Sequence, residues 1–544
     1  MTPTDPPPAT DVHADVVIVG AGPTGLISAL LLADRGHSVA LIERWPEPYA
    51  LPRAVGISHE TLRALQNARV IDDLAPQLLF SGDGSRVAEI RSAEGEVLGV
   101  RHDRATSPSG WPERASFCQP DLERTLDARI AEHPGTQVFR GWTAVHVASD
   151  DEEALVTAEP LTGAAAMDPS SGITGSHSSG DGHLRAHGRY VLGCDGANSV
   201  VRQAVGADTT DLGFAYDWLV VDVIPHDPHR TYVPHLGQIL GPPRPTTLVM
   251  GGPGRRRWEF MRLDGETMQD LNRPETAWRL LAPFDVTPEN ATLERHAVYT
   301  FRGRWCESWN RGRVLLAGDA AHLMPPFLGE GFNSGVRDAV AVSWQLDLVL
   351  RRLADARLLD TYSAERLGHV RQTIEGAVEL GRMICVTDPA EARRRDESLR
   401  AARDNAVAHT GVRQWRLGEG TWLADDPHAG YLGVQGRVRI GERTGRFDDL
   451  LGRGRFVLIG RDQDPEAFLT EELRERWKDL GGICAHIADS APVADVDGTY
   501  ANWFATKDVD LALLRPDFYV FGTARSVADA PQLISALLDR LASP

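Results

Sequence analysis

The chain has 544 residues, room for about three domains of ordinary size, and its 42% hydrophobic content is ample for their cores. A formal net charge of −19, with no basic stripe to offset it, argues against nucleic acid or anionic membranes as partners. Cys118, Cys194, Cys306, Cys385 and Cys484 form neither a CxxC nor a metal spacing, which points to a reducing cytoplasm and to no metal centre.

Residues 1–13 are rich in Pro and Asp and lack the basic and apolar stretches of a signal peptide. A buried-type strand, Val16 to Val19, then runs into Gly20-Ala-Gly-Pro-Thr-Gly25, and a helix is expected from Leu26 to Asp34. Val16 to Ala33 is uncharged and about long enough to span a bilayer, but the glycine turn at its centre makes it a strand–turn–helix. Gly20 makes the tight turn, Gly22 lets a pyrophosphate approach the backbone, and Gly25 lets helix and strand pack. Pro23 and Thr24 open the helix, whose free N–H groups and partial positive charge face that pyrophosphate. A second strand, Ser38 to Ile42, ends in Glu43, about 20 residues past the glycines, where an acid takes a ribose hydroxyl pair. Strand, turn, helix and acid together read as a dinucleotide site.

Thr61 to Leu79 reads as helical, Val87 to His102 as a hairpin turning at Glu94-Gly95, and Asp121 to Glu132 as a helix with Leu122, Leu126 and Ile130 on its buried face. Residues 162–183, rich in Gly, Ser, Ala and His, read as a mobile hairpin loop between two strands. His177, His183 and His187 lack the Cys or acid spacing of a metal site. Trp218 to Ile224, Thr246 to Met250 and Arg256 to Leu263 read as strands, the last two joined by Gly251-Gly-Pro-Gly254. With a helix at Glu275 to Leu281 and a strand at Leu293 to Phe301, they make a separate antiparallel layer. Alternation puts Arg256, Trp258 and Phe260 on one face and Arg255, Arg257 and Glu259 on the other. Trp258 and Phe260 are either pocket lining or plain core. One arginine of the cluster is a candidate for a substrate carboxylate, and at least two of the three read as solvated charge.

The run Gly312 to Gly335 is the most informative in the chain. A strand, Val314 to Ala317, stops at Gly318 and Asp319. The turn Pro325-Pro326 and the glycines Gly329, Gly331 and Gly335 then open a helix to about Leu353. Such a segment brings bare backbone and one carboxylate against a polyol and a planar ring. Further helices are expected at Ala364 to Ile384 and, exposed or as a linker, at Asp388 to Asn405. From about residue 445 a third unit carries strands at Arg455 to Gly460 and Phe518 to Phe521, a segment Ile483 to Ile487, and an amphipathic helix, Ala530 to Leu541.

On these two glycine segments, and on Pro52-Arg-Ala-Val-Gly-Ile57, Gln119-Pro-Asp-Leu-Glu123, Gly193-Cys-Asp-Gly-Ala-Asn-Ser199 with Arg202, Asp211-Leu-Gly-Phe214 with Trp218-Leu-Val-Val-Asp222, and Gly254-Arg-Arg-Arg-Trp-Glu-Phe260, the chain resembles the single-component FAD-dependent aromatic hydroxylases of the para-hydroxybenzoate hydroxylase class. Within that class it is most similar to 3-(3-hydroxyphenyl)propionate hydroxylases, with aromatic polyketide hydroxylases as near cousins. Glu330-Gly-Phe-Asn-Ser334 departs from the pattern, since these families usually have Gln and Met where this chain has Glu330 and Phe332.

The resemblance implies an α/β fold. A discontinuous Rossmann-like FAD-binding domain would cover residues 14–85, 115–205 and 300–400, and a substrate-binding sheet domain 86–114 and 206–299. A linker and a thioredoxin-like domain would take 401–544. After Gly460 stands Arg461-Asp-Gln-Asp464 and no CxxC, so a dithiol role is excluded and packing or homodimer formation remains. It implies tightly, non-covalently bound FAD, NAD(P)H as a transient co-substrate, and a flavin hydroperoxide, made from dioxygen, that hydroxylates a phenolic acid or an aromatic polyketide. Asp319 would hold the ribityl chain. Arg44, Arg53, Gln119, Asp195, Gly318, Pro326, Gly329, Gly331, Phe332 and Asn333 would complete the cofactor site, and Gln238 and Pro325 would join the sheet residues at the substrate. The phenol-activating group is left open among Pro326, His296 and Tyr299, and His322 is expected to brace the loop. A reductase or dehydrogenase on the same scaffold, or a flavin-binding protein without turnover, are the alternatives.

Overall fold

Val16, Val17 and Ile18 have no exposed surface, which places their strand, Thr10–Val19, at the middle of a sheet instead of its edge. In this computed structural model, which describes residues 10–48, 50–81, 87–162, 178–179, 182–404, 415–488 and 491–542, that strand runs parallel between Leu184–Gly193 and Val39–Glu43. Thr136–Arg140 continues the sheet on one side and Val314–Leu316 on the other. Continuous apolar strands are those of a parallel sheet covered on both faces. Helix Pro23–Ala33, with eight buried residues, packs against the long helix Gly331–Leu350.

The second sheet has eight strands. In spatial order they are His322–Leu323, Ala291–Cys306, Thr209–Pro225, Arg256–Met261, Thr246–Met250, Leu236–Ile239, Val87–Arg91 and Val97–His102. One edge is therefore the early hairpin and the other a piece of the segment that follows Asp319. One face buries Leu219, Val221, Val223, Trp258 and Phe260 against Leu271, Ala277 and Leu281 from the helices Met268–Leu271 and Pro274–Leu281.

The third unit has strands in the order Ile483–Ile487, Val457–Arg461, Leu511–Leu514 and Val520–Ala524. The first pair is parallel and the other two antiparallel. With helices Glu471–Asp479, Thr499–Lys507 and Ala530–Ala542 this is a thioredoxin-like layer. Among the described residues no helix is long and apolar enough to cross a membrane.

Several elements differ from the sequence reading. The helix expected to Leu79 ends at Asn67, because Arg69 takes φ +59°, a left-handed turn. A short helix, Ile71–Leu74, restarts the chain. The charged stretch after Asp388 is, as expected, a largely exposed helix, Pro389–Asp404, anchored where Arg395 donates to the Gly241 carbonyl at 2.7 Å and Arg400 to Glu96 at 2.6 Å. Most of the expected loop 162–183, His177 included, lies outside the described residues, although the strands on either side of it, Ala154–Thr162 and Leu184–Gly193, pair antiparallel.

Candidate functional site

The first glycine turn shows why each glycine is needed. A Cβ at Gly20, where φ is +103°, would lie 2.4 Å from the Cys194 carbonyl oxygen, and one at Gly25 would lie 1.9 Å from the Gly20 oxygen. These two are set by packing. Gly22 differs, because a Cβ there would meet nothing within 4 Å. Its bare backbone faces open space at the start of the helix Pro23–Ala33, a place shaped for a pyrophosphate. Glu43 reaches the same turn, its carboxylate accepting from the Ala21 amide at 2.7 Å and the Trp45 amide at 2.9 Å. Arg44 donates to the Asp195 carbonyl at 3.4 Å. The Asp195 carboxylate points inward, accepting from the Ser199 hydroxyl at 2.5 Å and the Val200 amide at 2.7 Å. Only its backbone borders the turn.

Thr24 joins this turn to the second glycine segment. A Cβ at Gly318 or at Gly335 would lie 2.9 or 2.5 Å from the Thr24 hydroxyl oxygen, so the two segments touch there. Asp319 follows Gly318 directly. It is exposed to solvent, yet burial pushes its carboxyl above the usual range, while His322 and Arg53 nearby pull it back. A group that is wet but ringed by protein lines a cleft. Beneath it, Asp338 accepts from the Gly318 amide at 2.9 Å, from His322 at 2.7 Å and from Arg366 at 2.8 Å. Burial alone would raise the Asp338 carboxyl, but His322 and Arg366 outweigh it and hold it down at about 2. His322 therefore braces the loop from below.

The rest of the segment closes around this cleft. Pro325 is buried, Pro326–Leu328 makes a 3-10 turn, and Gly329 takes φ +68°. Helix Gly331–Leu350 has no side-chain cap at its N-terminus, so its first N–H groups remain available. The Phe332 ring lies 5.1 Å from that of Phe117. Asn333 is fully buried, accepting from the Ser58 amide at 3.0 Å and donating to the Gly329 carbonyl at 2.7 Å. Gln119 accepts from the Ala54 amide at 2.8 Å and donates to Glu123 at 2.7 Å. Burial pushes Glu123 up to about 7, against that hydrogen bond and the nearby charge of Arg53.

The second sheet presents its other face to this cleft. Strand pairing sets Asp222 opposite Arg257, Val220 opposite Glu259 and Trp218 opposite Met261, all on one side. At one end Arg257 donates to Asp222 at 2.6 Å, to the Arg53 carbonyl at 2.6 Å and to the Pro52 carbonyl at 2.9 Å. At the other end the Trp218 ring lies 5.5 Å from that of Phe327 in the Pro326–Leu328 turn. Gln238 belongs to this face, accepting from Thr247 at 2.7 Å, and so does Tyr299, which accepts from Arg295.

Four expected residues are not brought here. Trp258 and Phe260 point into the apolar core on the opposite face, and Arg256 lies on that side with them, donating to the His235 carbonyl at 2.6 Å beside the Tyr232 ring. His296 also faces away, hydrogen-bonded to Asn272 at 2.9 Å. It is three residues from Tyr299, and an odd separation on a strand puts side chains on opposite faces. The expectation of solvated arginines is corrected too. Arg256 and Arg257 are buried, and Arg255 is half-buried and pairs with Glu294 at 3.1 Å. The readable signal was Asp222 in the apolar run Trp218 to Ile224, since a charge buried in a strand requires a partner.

A family model described as an FAD binding domain matches residues 13–377, and one described as HcaD C-terminal domain matches residues 430–540. A protein of Rhodococcus jostii (strain RHA1) named as a probable NADH-specific resorcinol 4-hydroxylase is 36% identical, covering 99% of this chain and 97% of its own. A 3-(3-hydroxy-phenyl)propionate/3-hydroxycinnamic acid hydroxylase of Mycolicibacterium smegmatis is 32% identical over 96% of this chain and 92% of its own. Among solved structures, the flavin-dependent monooxygenase PieE, in complex with FAD and substrate, superposes with a TM-score of 0.78 at 21% identity, covering 98% of this chain and 100% of that one. Aklavinone-11 hydroxylase, with FAD and aklavinone, reaches 0.75 at 23% identity with the same coverage. These two likenesses concern the fold.

Proposed function

The chain belongs to the FAD-binding-domain family, and from that premise we propose that it is a single-component FAD-dependent monooxygenase that hydroxylates a phenolic aromatic substrate with NADH and dioxygen. The observation that carries this reading is the meeting of two distant glycine segments at Thr24, with Asp319 in the cleft beside them and a polar sheet face across it. When bound, FAD supplies the redox chemistry that hydroxylation needs.

The chain's own residues bind and orient. Gly20, Gly22, Pro23, Thr24 and Gly25 would cradle the pyrophosphate, with Glu43 on the adenosine ribose and Arg44 beside it. Asp319 would accept from the ribityl hydroxyls, helped by Gly318, Arg53 and Gln119. Pro326, Gly329, Gly331, Phe332 and Asn333 would surround the ring, where the uncapped helix N-terminus favours negative charge. The sheet face with Gln238 and Tyr299 would close over the substrate and exclude water. Residues 86–114 and 206–299 would then be the substrate domain and 14–85, 115–205 and 300–400 the cofactor domain. A cytoplasmic location suits an enzyme that draws on NADH and whose five cysteines are all free. NADH oxidation across a panel of phenols, with products analysed by mass, tests the reading. A gain of one oxygen atom is expected, and NADH consumption without any oxygenated product would overturn it.

A further inference from the structure

Between the two ends of the cleft-facing sheet lies a carboxylate that the fold leaves unanswered. Glu259 is 8% exposed and has no hydrogen-bond donor among the described residues, while its oxygens are not among the polar atoms sealed from solvent. A buried carboxylate without a donor is costly, so a site that keeps one is built for something that supplies the donor. Its position says what that is. Two residues before it, Arg257 grips the Pro52–Arg53 segment, and two residues after it, Met261 is paired with Trp218, whose ring meets Phe327. Glu259 thus lies on the cleft-facing side of the sheet, between the Pro52–Arg53 segment and the Pro326–Leu328 turn, both of which belong to the proposed cofactor site.

The charged groups around it do not change this. Arg257 is engaged by both Asp222 oxygens and two carbonyls, and Arg295 donates to the Pro52 carbonyl and the Tyr299 hydroxyl. Thr247, its neighbour on Thr246–Met250, donates to Gln238 instead. Resting on the proposed hydroxylase reading, we infer that Glu259 selects the substrate: it accepts a hydrogen bond from a second ring hydroxyl of a neutral dihydroxybenzene and repels phenols that carry a carboxylate. An ionised carboxylate accepts and never donates, so a hydroxyl satisfies it and a second carboxylate meets like charge. Burial pushes Glu259 up to about 7, with Asp222 adding to the rise and Arg257 and Arg295 opposing it, so the ionised acceptor prevails at pH 8.

The test is calorimetric titration of the FAD-loaded protein at pH 8 with resorcinol and with 3-(3-hydroxyphenyl)propionate, alongside turnover of each. Wild type is expected to bind resorcinol at least about tenfold more tightly. Glu259→Leu, which removes the acceptor, should weaken resorcinol by at least about tenfold. Glu259→Gln, which keeps the shape and removes the charge, should tighten the propionate by about tenfold while leaving the fold intact. Wild type that prefers the propionate, binds neither compound, or changes both affinities in parallel in the variants overturns the assignment. Preferential hydroxylation of the propionate would leave the hydroxylase reading standing and sink only this one, whereas oxygen transfer to no phenol at all would defeat the hydroxylase reading itself.

Discussion

In the proposed role of Asp319 as the acceptor of the ribityl hydroxyls, its being wet and hemmed in at once matters, since a carboxylate surrounded by protein holds hydroxyls more firmly than one on an open surface. Removing it should cost FAD binding about 1–3 kcal/mol. Asp319→Ala is therefore expected to purify paler and to bind FAD on the order of tenfold or more weakly, read from flavin fluorescence on titration, and full occupancy with unchanged affinity would refute its role. Glu259 makes a second prediction, with a definite sign. Its carboxyl titrates near 4.5 when unfolded and near 7 when folded, so the fold favours the protonated form. The stability tied to that proton is fully present below about pH 4.5 and is lost as pH rises through 7. Glu259→Gln should accordingly be more stable than wild type at pH 8, by roughly 3 kcal/mol if the whole shift is realised, with little gain at pH 4.5. Melting curves at the two pH values decide it, and an equal offset at both would contradict the assignment.

Helix Gly331–Leu350 ties the cleft to the third unit. Glu330, at its N-cap, pairs with Arg337 at 2.9 Å, Arg337 pairs with Glu60 at 2.7 Å, and the Tyr519 hydroxyl donates to Glu60 at 2.8 Å. This chain explains how a Glu is accommodated at position 330, where the resembled families usually carry Gln. Tyr519→Phe removes one hydrogen bond to a buried carboxylate and should lower stability by about 1.5–3 kcal/mol in denaturant titration. An unchanged midpoint would show that the third unit does not buttress the loop. Cys484 is a contrast. Burial pushes its thiol up to about 12, and an un-ionised thiol is inert, so Cys484→Ser should leave turnover unchanged in steady-state assays.

At this scale the legible and the illegible separate by cause. Both glycine segments could be read because strand, turn and helix follow one another within a few residues. The left-handed Arg69 leaves no local mark, so the sequence does not announce the helix break there. Alternation sorted Arg257 and Glu259 from Trp258 and Phe260 correctly, but sequence does not say which face of a sheet meets a neighbour. That depended on where the helix Pro274–Leu281 packs. Strand Leu511–Leu514 is equally silent in the sequence, since a short apolar run has no periodicity to announce it.

Across the whole molecule, the cleft is shared between two sheets that are stitched together at one edge. His322–Leu323, just beyond Asp319, pairs with Arg304 and Trp305 of the substrate-side sheet, so a shift of one sheet is felt by the other. An enzyme that uses NADH before substrate arrives wastes it, and a gate at this seam would prevent that. The correct phenol is expected to accelerate flavin reduction by at least about tenfold, roughly 1.4 kcal/mol of barrier. A Cβ at Gly331 would meet only Met324 at 3.7 Å, so the fold should tolerate a larger side chain there, while a bulky one should slow reduction and hydroxylation together. Rapid-mixing rates with and without substrate check this, and equal rates would exclude the gate. The central claim, that the chain inserts oxygen into a phenol, is tested most directly by turnover under 18O2 with NADH and resorcinol, followed by mass spectrometry. The product should carry one heavy oxygen atom per NADH consumed, whereas oxidation of NADH with no label in any aromatic product would contradict it.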